Sequence, residues 1–503
     1  MKLRYKSTRN SQLRLTASQA IAQGISEEGG LFVPESFPDL TQQLPSLLQM
    51  DYKTLAKAIF QLFLTDFTGE EIANCVEQAY AAEKFGGAQP VKVTPLTKQG
   101  EPKFLLELWH GPTCAFKDMA LQILPYFLTV SLKKAAPGKE AVILTATSGD
   151  TGKAALEGFK NVPGTRILVF YPRDGVSPTQ KLQMVTQEGT NVGVCAIEGN
   201  FDDAQTSVKR IFTNAALKEK LAAHNLLFSS ANSINWGRLL PQIVYYFFAY
   251  GELIRSGYAQ GTPMDVVVPT GNFGNILAAY YAKKMGLPIR KLICASNANK
   301  VLADFIRTGT YDRRREFYTT TSPSMDILIS SNLERLLYAL SGENSERLSR
   351  WMGELAENGC YTVEEDVRSQ VQELFYGAWC DDQGAAETIR ELMEEENYLC
   401  DPHTAVAVHV YRQYCKENGG SSVPAIIAST ASPFKFSGTV LSALQRPVAA
   451  QEEENLQNLA QISGWCAPEQ LATLQEKPVR FRQVVSKEQA EAYVLDFLGM
   501  GGC

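Results

Sequence analysis

The sequence predicts an α/β protein built on mostly parallel sheets. Three observations carry this. Short β-rich apolar runs recur through the middle of the chain, most of them lead into a turn rich in glycine, and an apolar or amphipathic helical stretch follows. Strands alternating with helices in this way make βαβ units.

The elements follow in order. The first ninety or so residues read as a helical, self-contained region, with a turn at EEGG (27–30), the amphipathic stretch DYKTLAKAIFQLFLTDF (51–67) and a boundary at GGAQP (86–90). Beyond it, the strand FLLELWH (104–110) precedes HGPTCAFKDMALQ (110–122). AVILTAT (141–147) enters SGDTG and the helical KAALEGFK, and RILVFYP (166–172) and VGVCAIEG (192–199) are two more strands. DVVVP (265–269) enters TGNFGN (270–275) and the helical ILAAYYAKKMG, followed by the strands KLICAS (291–296) and AIIAST (425–430). No internal repeat is evident. The acidic, Glu/Gln-rich stretch near 450–457 reads as a solvated helix face or a linker.

A chain of 503 residues makes two or three domains. With 45% hydrophobic and 20% charged residues it matches an ordinary soluble globular protein. The net charge of −6, with no basic tract, argues against nucleic acid or an anionic membrane as a partner. Ten scattered cysteines with no CxxC pair suggest reduced thiols, and four histidines make a His-rich metal centre unlikely, so no metal is expected. The basic start, MKLRYKSTRNSQLRL, runs into no signal-type apolar stretch, and LLPQIVYYFFAYGELI (239–254) is too short and too interrupted to span a bilayer. The expected location is the cytoplasm.

Three loops stand at the carboxyl ends of strands, where open α/β sheets bind ligands. In TGNFGN, Gly271 and Gly274 allow positive φ and close approach of a ligand to backbone N–H groups, and the following helix adds its dipole. The loop reads either as a phosphate cradle or as an ordinary βα turn. TSGDTG (147–152) suits a carboxylate or phosphate, or is a capped turn with Asp150 at the helix start. It is no P-loop, because Thr147 replaces the first glycine and Ala154 the magnesium-holding hydroxyl. Lys117 sits at the start of an apolar helix, where the positive end of the dipole disfavours its charge and favours the nucleophilic amine. Alone it also reads as a snorkelling surface lysine. Lysine and both loops together describe a pyridoxal phosphate site: a Schiff-base lysine, a grip on the cofactor phosphate and a grip on the substrate carboxylate.

GPTCAFKDMALQ, ATSGDTGKAA, GNFDDAQ, SANSINWGRLLPQ, PTGNFGNILAAYYA, DPHTAVAV and STASPFKF resemble, in this order, the motifs of the threonine synthase family. YKSTRN and EEGGLFVPE resemble its opening segment, so the resemblance covers nearly the whole chain. It implies a fold-type II (tryptophan synthase β-like) enzyme dependent on pyridoxal 5′-phosphate, with parallel sheets flanked by helices and a mainly helical N-terminal extension. The implied division is 1–90 for the extension, 91–135 with 241–503 for the large cofactor-binding domain, and 136–240 for a smaller α/β subdomain.

The resemblance also implies roles. Lys117 would be the Schiff-base lysine and proton shuttle, with Phe116 close to the cofactor. Gly271, Asn272, Phe273, Gly274 and Asn275 would cradle the cofactor phosphate. Ser148, Gly149, Asp150 and Thr151 would hold the substrate carboxylate or the cofactor ring hydroxyl, Asp150 being counted with the cofactor. Asn232, Ser233 and Arg238 would bind the substrate phosphate. The planar fork of Arg238 suits a dianion, though it also reads as half of a structural ion pair. Thr430 would face the pyridine nitrogen, or be a strand-end hydroxyl bonded to backbone.

Ser432 and Phe434 depart from the family's usual TAHPAKF, and Cys114 reads as a packing thiol. His403 reads as structural, holding a turn through hydrogen bonds. The implied reaction is O-phospho-L-homoserine plus water to L-threonine and phosphate, by a monomer or homodimer. A phospholyase giving 2-oxobutyrate, a catalytically silent cofactor-binding scaffold and a hydroxyamino-acid dehydratase are the alternatives.

Overall fold

Two sheets of parallel strands organise the chain. The computed structural model describes residues 2–96, 102–147, 149–173 and 176–501. The larger sheet has six strands in the spatial order Phe375–Trp379, Ile289–Ser296, Met264–Pro269, Ala425–Ser429, Lys103–Glu107 and Lys92–Leu96. All neighbours are parallel except the last pair. The smaller sheet is parallel throughout, in the order Val484–Val485, Val192–Ile197, Thr165–Pro172, Glu140–Ala146 and Leu226–Ser229.

The inner strands form because their apolar runs can be covered on both faces. Every residue of Met264–Pro269 and Ala425–Ser429 is buried, as parallel sheets flanked by helices require. Helix Trp236–Arg255 is buried along nearly its whole length and begins where Asn235 accepts from the Gly237 N–H. Pro241 removes one of its internal hydrogen bonds without ending it. Among the described residues no helix is long and apolar enough to cross a membrane.

Two expectations need correction. The N-terminal region is not self-contained. Tyr5, Phe63 and Tyr281 pack around Trp236, with ring centroids 5.5, 5.7 and 6.1 Å from it. Asn235 Nδ2 donates to the Ile21 carbonyl at 3.1 Å, and Arg335 Nε to the Phe32 carbonyl at 3.0 Å. Helices as short as Ala17–Gln23 and Tyr52–Phe63 cannot close a core alone, so they share that of the large sheet. The second correction concerns the chain's last part. Val484–Val485 pairs with Val192–Ile197, and Ala490 and Val494 of helix Ala490–Phe497 join the smaller sheet's core. The sequence division had put both in the large domain.

Candidate active site

Lys117 is placed by backbone pairing between two distant segments. The Phe116 N–H donates to the Thr430 carbonyl at 2.8 Å, and the Ser432 N–H to the Cys114 carbonyl at 3.0 Å. The lysine therefore leaves the end of strand Lys103–Glu107 beside the end of its neighbour, Ala425–Ser429. It caps a helix of only four residues, Asp118–Leu121, so the dipole argument carries little weight. Burial dominates instead and lowers the amine to about 8; Asp150 opposes this, while Lys435 and Arg238 reinforce it. Lys117 Nζ donates to Ser324 Oγ at 3.1 Å, lies 3.8 Å from Asp150 Oδ2 and stands 5.4 Å from the centre of the Phe116 ring.

Asp150 begins helix Asp150–Phe159 on the smaller sheet, yet its carboxylate faces the larger domain. Oδ1 accepts from Lys435 Nζ at 2.6 Å and from Gln180 Nε2 at 3.1 Å, and Oδ2 accepts from Ser324 Oγ at 3.3 Å. Burial would raise this carboxyl, but Lys435 and then Lys117 outweigh it and hold it well below the usual range. An ionised side chain here repels a substrate carboxylate and suits a hydroxyl donor. Gly149 takes φ 144°, and a Cβ there would meet the Gln180 side chain at 2.4 Å. Its N–H is already bonded to Thr147 Oγ1 at 3.0 Å, so that amide is not free for a ligand. Thr151 lies next to it, half-buried, and Ser148 lies outside the described residues.

The loop after Met264–Pro269 differs from expectation. Neither glycine takes positive φ; Phe273 does, at 63°, with its ring buried against Phe375. Gly271 is needed for space, since a Cβ would stand 2.6 Å from the Ser324 carbonyl oxygen. None of the backbone N–H groups of residues 271–276 donates to another described group, so they converge unpaired at the start of helix Gly274–Lys284. Asn275 Nδ2 is also buried without a partner, its Oδ1 being held by the Tyr246 hydroxyl. Asn332 joins this loop to the next segment, donating through Nδ2 to the Asn272 carbonyl at 3.0 Å and the Ser233 carbonyl at 3.2 Å.

Arg238 lies one turn into Trp236–Arg255, 4% exposed, and forms no ion pair with a described residue. One amino group donates to the Ala231 carbonyl at 2.9 Å, and Nε has no partner. Burial lowers the guanidinium to about 10. A buried cation with no carboxylate partner among the described residues suits an anion. Asn232 is exposed and Ser233 half-buried beside it. Thr430 is buried, and its hydroxyl makes no hydrogen bond to a described group, contrary to the strand-end reading.

The sequence thus pointed to most of the site but missed Ser324, Asn332 and Lys435. Lys435 stood inside STASPFKF, and a lysine two residues past a proline in an otherwise apolar motif was the available signal. Ser324 carried none. The donors fit a pyridoxal phosphate: a buried amine whose charge burial disfavours, free amides and an orphaned amide for the phosphate, and a free hydroxyl at Thr430.

Comparison with known proteins decides the family. The N-terminal part, residues 4–80, matches Threonine synthase N terminus; residues 85–429 match Pyridoxal-phosphate dependent enzyme; residues 404–494 match Threonine synthase, C-terminal. The chain belongs to the threonine synthase family. It is therefore a member of the fold-type II pyridoxal phosphate enzymes. It is 36% identical over 464 residues to threonine synthase of Saccharomyces cerevisiae, covering 88% of this chain and 89% of that one. It is 40% identical over 440 residues to threonine synthase-like 1 of Pongo abelii, covering 85% of this chain but spanning only 58% of that protein. The crystal structure of pyridoxal phosphate-bound threonine synthase from Brucella melitensis superposes with a TM-score of 0.86 at 35% identity, over 98% of this chain and 99% of that one.

Proposed function

We propose that this protein is a threonine synthase, converting O-phospho-L-homoserine and water to L-threonine and phosphate. The observation that carries the reading is the buried Arg238 guanidinium, with no ion-pair partner among the described residues, acting on the same enclosure as the Lys117 amine. An enzyme on this scaffold with no phosphate on its substrate would gain nothing from that cation.

Lys117, Phe116, Thr430 and residues 271–275 would hold pyridoxal phosphate, with Asp150 receiving its ring hydroxyl. The bound cofactor supplies an electron sink that acidifies hydrogens on the substrate's α- and β-carbons. The chain does the rest. Lys117 Nζ takes the α-proton and then a β-proton, a task suited to an amine lowered to about 8. Arg238, with Asn232 and Ser233, holds the phosphate through binding and stabilises its charge as it leaves the γ-carbon. Water then adds its hydroxyl at the β-carbon; of the three protons released, from the α-carbon, the β-carbon and water, one returns to the α-carbon, one makes the γ-carbon a methyl and one leaves with the phosphate, Lys117 passing each proton on before it takes the next. The neutral Thr430 hydroxyl would face the ring nitrogen and, carrying no charge, would leave it unprotonated and so moderate the sink. The substrate carboxylate falls to Ser148, Gly149 and Thr151, with the Gly149 amide the weakest of these because Thr147 occupies it.

The smaller sheet, 136–240 together with 484–500, is read as the smaller α/β subdomain beside a large cofactor-binding domain of 91–135 and 241–483, with 1–90 as the extension. A cytoplasmic monomer or homodimer is the accompanying reading.

The test is to incubate the purified holoenzyme with O-phosphohomoserine and assay phosphate, threonine and 2-oxobutyrate together, with Lys117→Ala as control. Equal threonine and phosphate, lost in the variant, is the expected result. Phosphate with 2-oxobutyrate would instead make the protein a phospholyase. No phosphate from cofactor-loaded protein would overturn both.

A further inference from the structure

The short turn Pro323–Met325 lies outside every motif in the sequence, yet it touches three parts of the site. The Ser324 hydroxyl accepts from Lys117 Nζ at 3.1 Å and donates to Asp150 Oδ2 at 3.3 Å. The Ser324 carbonyl lies against Gly271 and leaves no room there for a Cβ. The Ser324 N–H donates to His403 Nε2 at 3.1 Å. Because Nε2 accepts, the ring hydrogen sits on Nδ1, which is bonded to Asp401 Oδ2 at 2.6 Å.

We propose that Ser324, fixed by the Asp401–His403 pair, is the positioning residue that sets the direction of the Lys117 amine. This rests on the reading of Lys117 as the cofactor lysine. A lysine amine ends a flexible four-carbon stem and donates in three interchangeable directions. Asp150 alone cannot choose among them, since at 3.8 Å it acts as a charge and not as a hydrogen-bond acceptor. Ser324 can. Its hydrogen is committed to Asp150, so a lone pair faces Lys117 and fixes one N–H, which leaves the nitrogen lone pair a defined direction.

The serine in turn needs a fixed turn, and the histidine provides it. His403 is 2% exposed and Asp401 0%. The ring packs 5.1 Å from Phe436, and Asp401 also caps helix Pro402–Glu417 through the His403 and Thr404 N–H groups. Asp401, His403 and Ser324 thus form a rigid strut from that helix to the amine. It is a device for holding, and no proton needs to travel along it, because Asp150 is held firmly ionised.

The experiment reads the amine directly. Trace labelling of Lys117 by acetic anhydride in the full-length, cofactor-free protein, followed by peptide mass spectrometry over a range of pH, gives its midpoint and reactivity. Asp150, Lys435, Arg238 and Asp118 are the charged groups that bear on this amine, and all stay in place. In Ser324→Ala the ammonium loses an acceptor, so the midpoint should fall by roughly half to one pH unit, a three- to tenfold larger neutral fraction below it. Turnover of the holoenzyme should nevertheless fall, because the freer amine is misdirected. Ser324→Thr keeps the hydroxyl and should keep the native midpoint. His403→Ala should reproduce the Ser324→Ala shift, and His403→Gln, which keeps an acceptor, should lessen it. An unchanged midpoint in Ser324→Ala, or an equal shift in Ser324→Thr, overturns the proposal. The product assay reports on the reaction and the labelling on the amine, so either reading can fail without the other.

Discussion

Replacing Arg238 by methionine should make the ligand-free protein more stable and its anion binding worse. Burial pushes this guanidinium down to about 10, more than two powers of ten below free arginine, which corresponds to about 3 kcal/mol by which the fold disfavours the charge. Arginine does not shed its proton at neutral pH, so the cost falls on stability. Methionine fills similar volume without charge, but leaves the Ala231 carbonyl without its donor, a loss of about 1 kcal/mol. The net gain is about 2 kcal/mol, or roughly 2 °C in Tm if the whole chain unfolds as one unit. Inorganic phosphate should narrow the gap. At a hundred times its Kd it stabilises the parent by about 2.7 kcal/mol, and the variant should bind it ten- to a hundredfold more weakly. The assay is thermal unfolding of both proteins along a phosphate series, with kcat/KM for the phosphorylated substrate alongside. A variant several kcal/mol less stable without phosphate, still responding to it as the parent does, would refute the argument and make Arg238 a structural group.

Three more outcomes follow from the same geometry. Lys435→Met or Asp150→Asn alone should cost about 3–5 kcal/mol in urea unfolding, because each strands a buried charge, while the double variant should recover part of the loss; simple additivity would show that the pair is not coupled. Gly271→Ala should cost about 1–3 kcal/mol in urea unfolding and weaken phosphate binding, since its Cβ meets the Ser324 carbonyl oxygen at 2.6 Å, an atom of the backbone. Burial raises Asp118 to about 6, so between about 4 and 6 the folded protein keeps a proton that the unfolded chain has lost. Its contribution is fully present below pH about 4 and is lost as pH rises to about 6, about 3 kcal/mol in all. Relative to Asp118→Asn, the parent should lose that much over the interval, and a flat difference would contradict the burial.

The inner strands were legible because their signal is local. Val266–Val268 and Ile426–Ala428 are apolar runs that end at a turn, and a run of that kind needs no partner to be read. The edge strands were not. Phe375–Trp379 contains a glycine, Lys92–Leu96 contains a proline, and Val484–Val485 is two residues that become a strand only because Val192–Ile197 offers an edge. The site divides the same way. Lys117, Arg238 and Thr430 stand in motifs, whereas Ser324 stands in none and reaches Lys117 across 207 positions; Lys435 stands in a motif, but its partner Asp150 lies 285 positions away. Such pairs are properties of the fold. The glycine loop is shaped otherwise than its glycines suggest: steric room at Gly271 and a left-handed Phe273 form it, with no positive φ at either glycine. His403, read as holding a turn, does hold one, though the sequence could not say which.

The strand Val484–Val485 has a consequence for biosynthesis. A ribosome delivers residues 140–229 long before it delivers 484–498, so during most of translation the smaller sheet presents Val192–Ile197 as an open edge and leaves Leu168 and Cys195 without the cover of Val494. An open edge beside bare apolar surface invites pairing with another nascent chain. A stop codon in the last twenty residues would therefore spare every group around Lys117 and still yield a protein prone to aggregate.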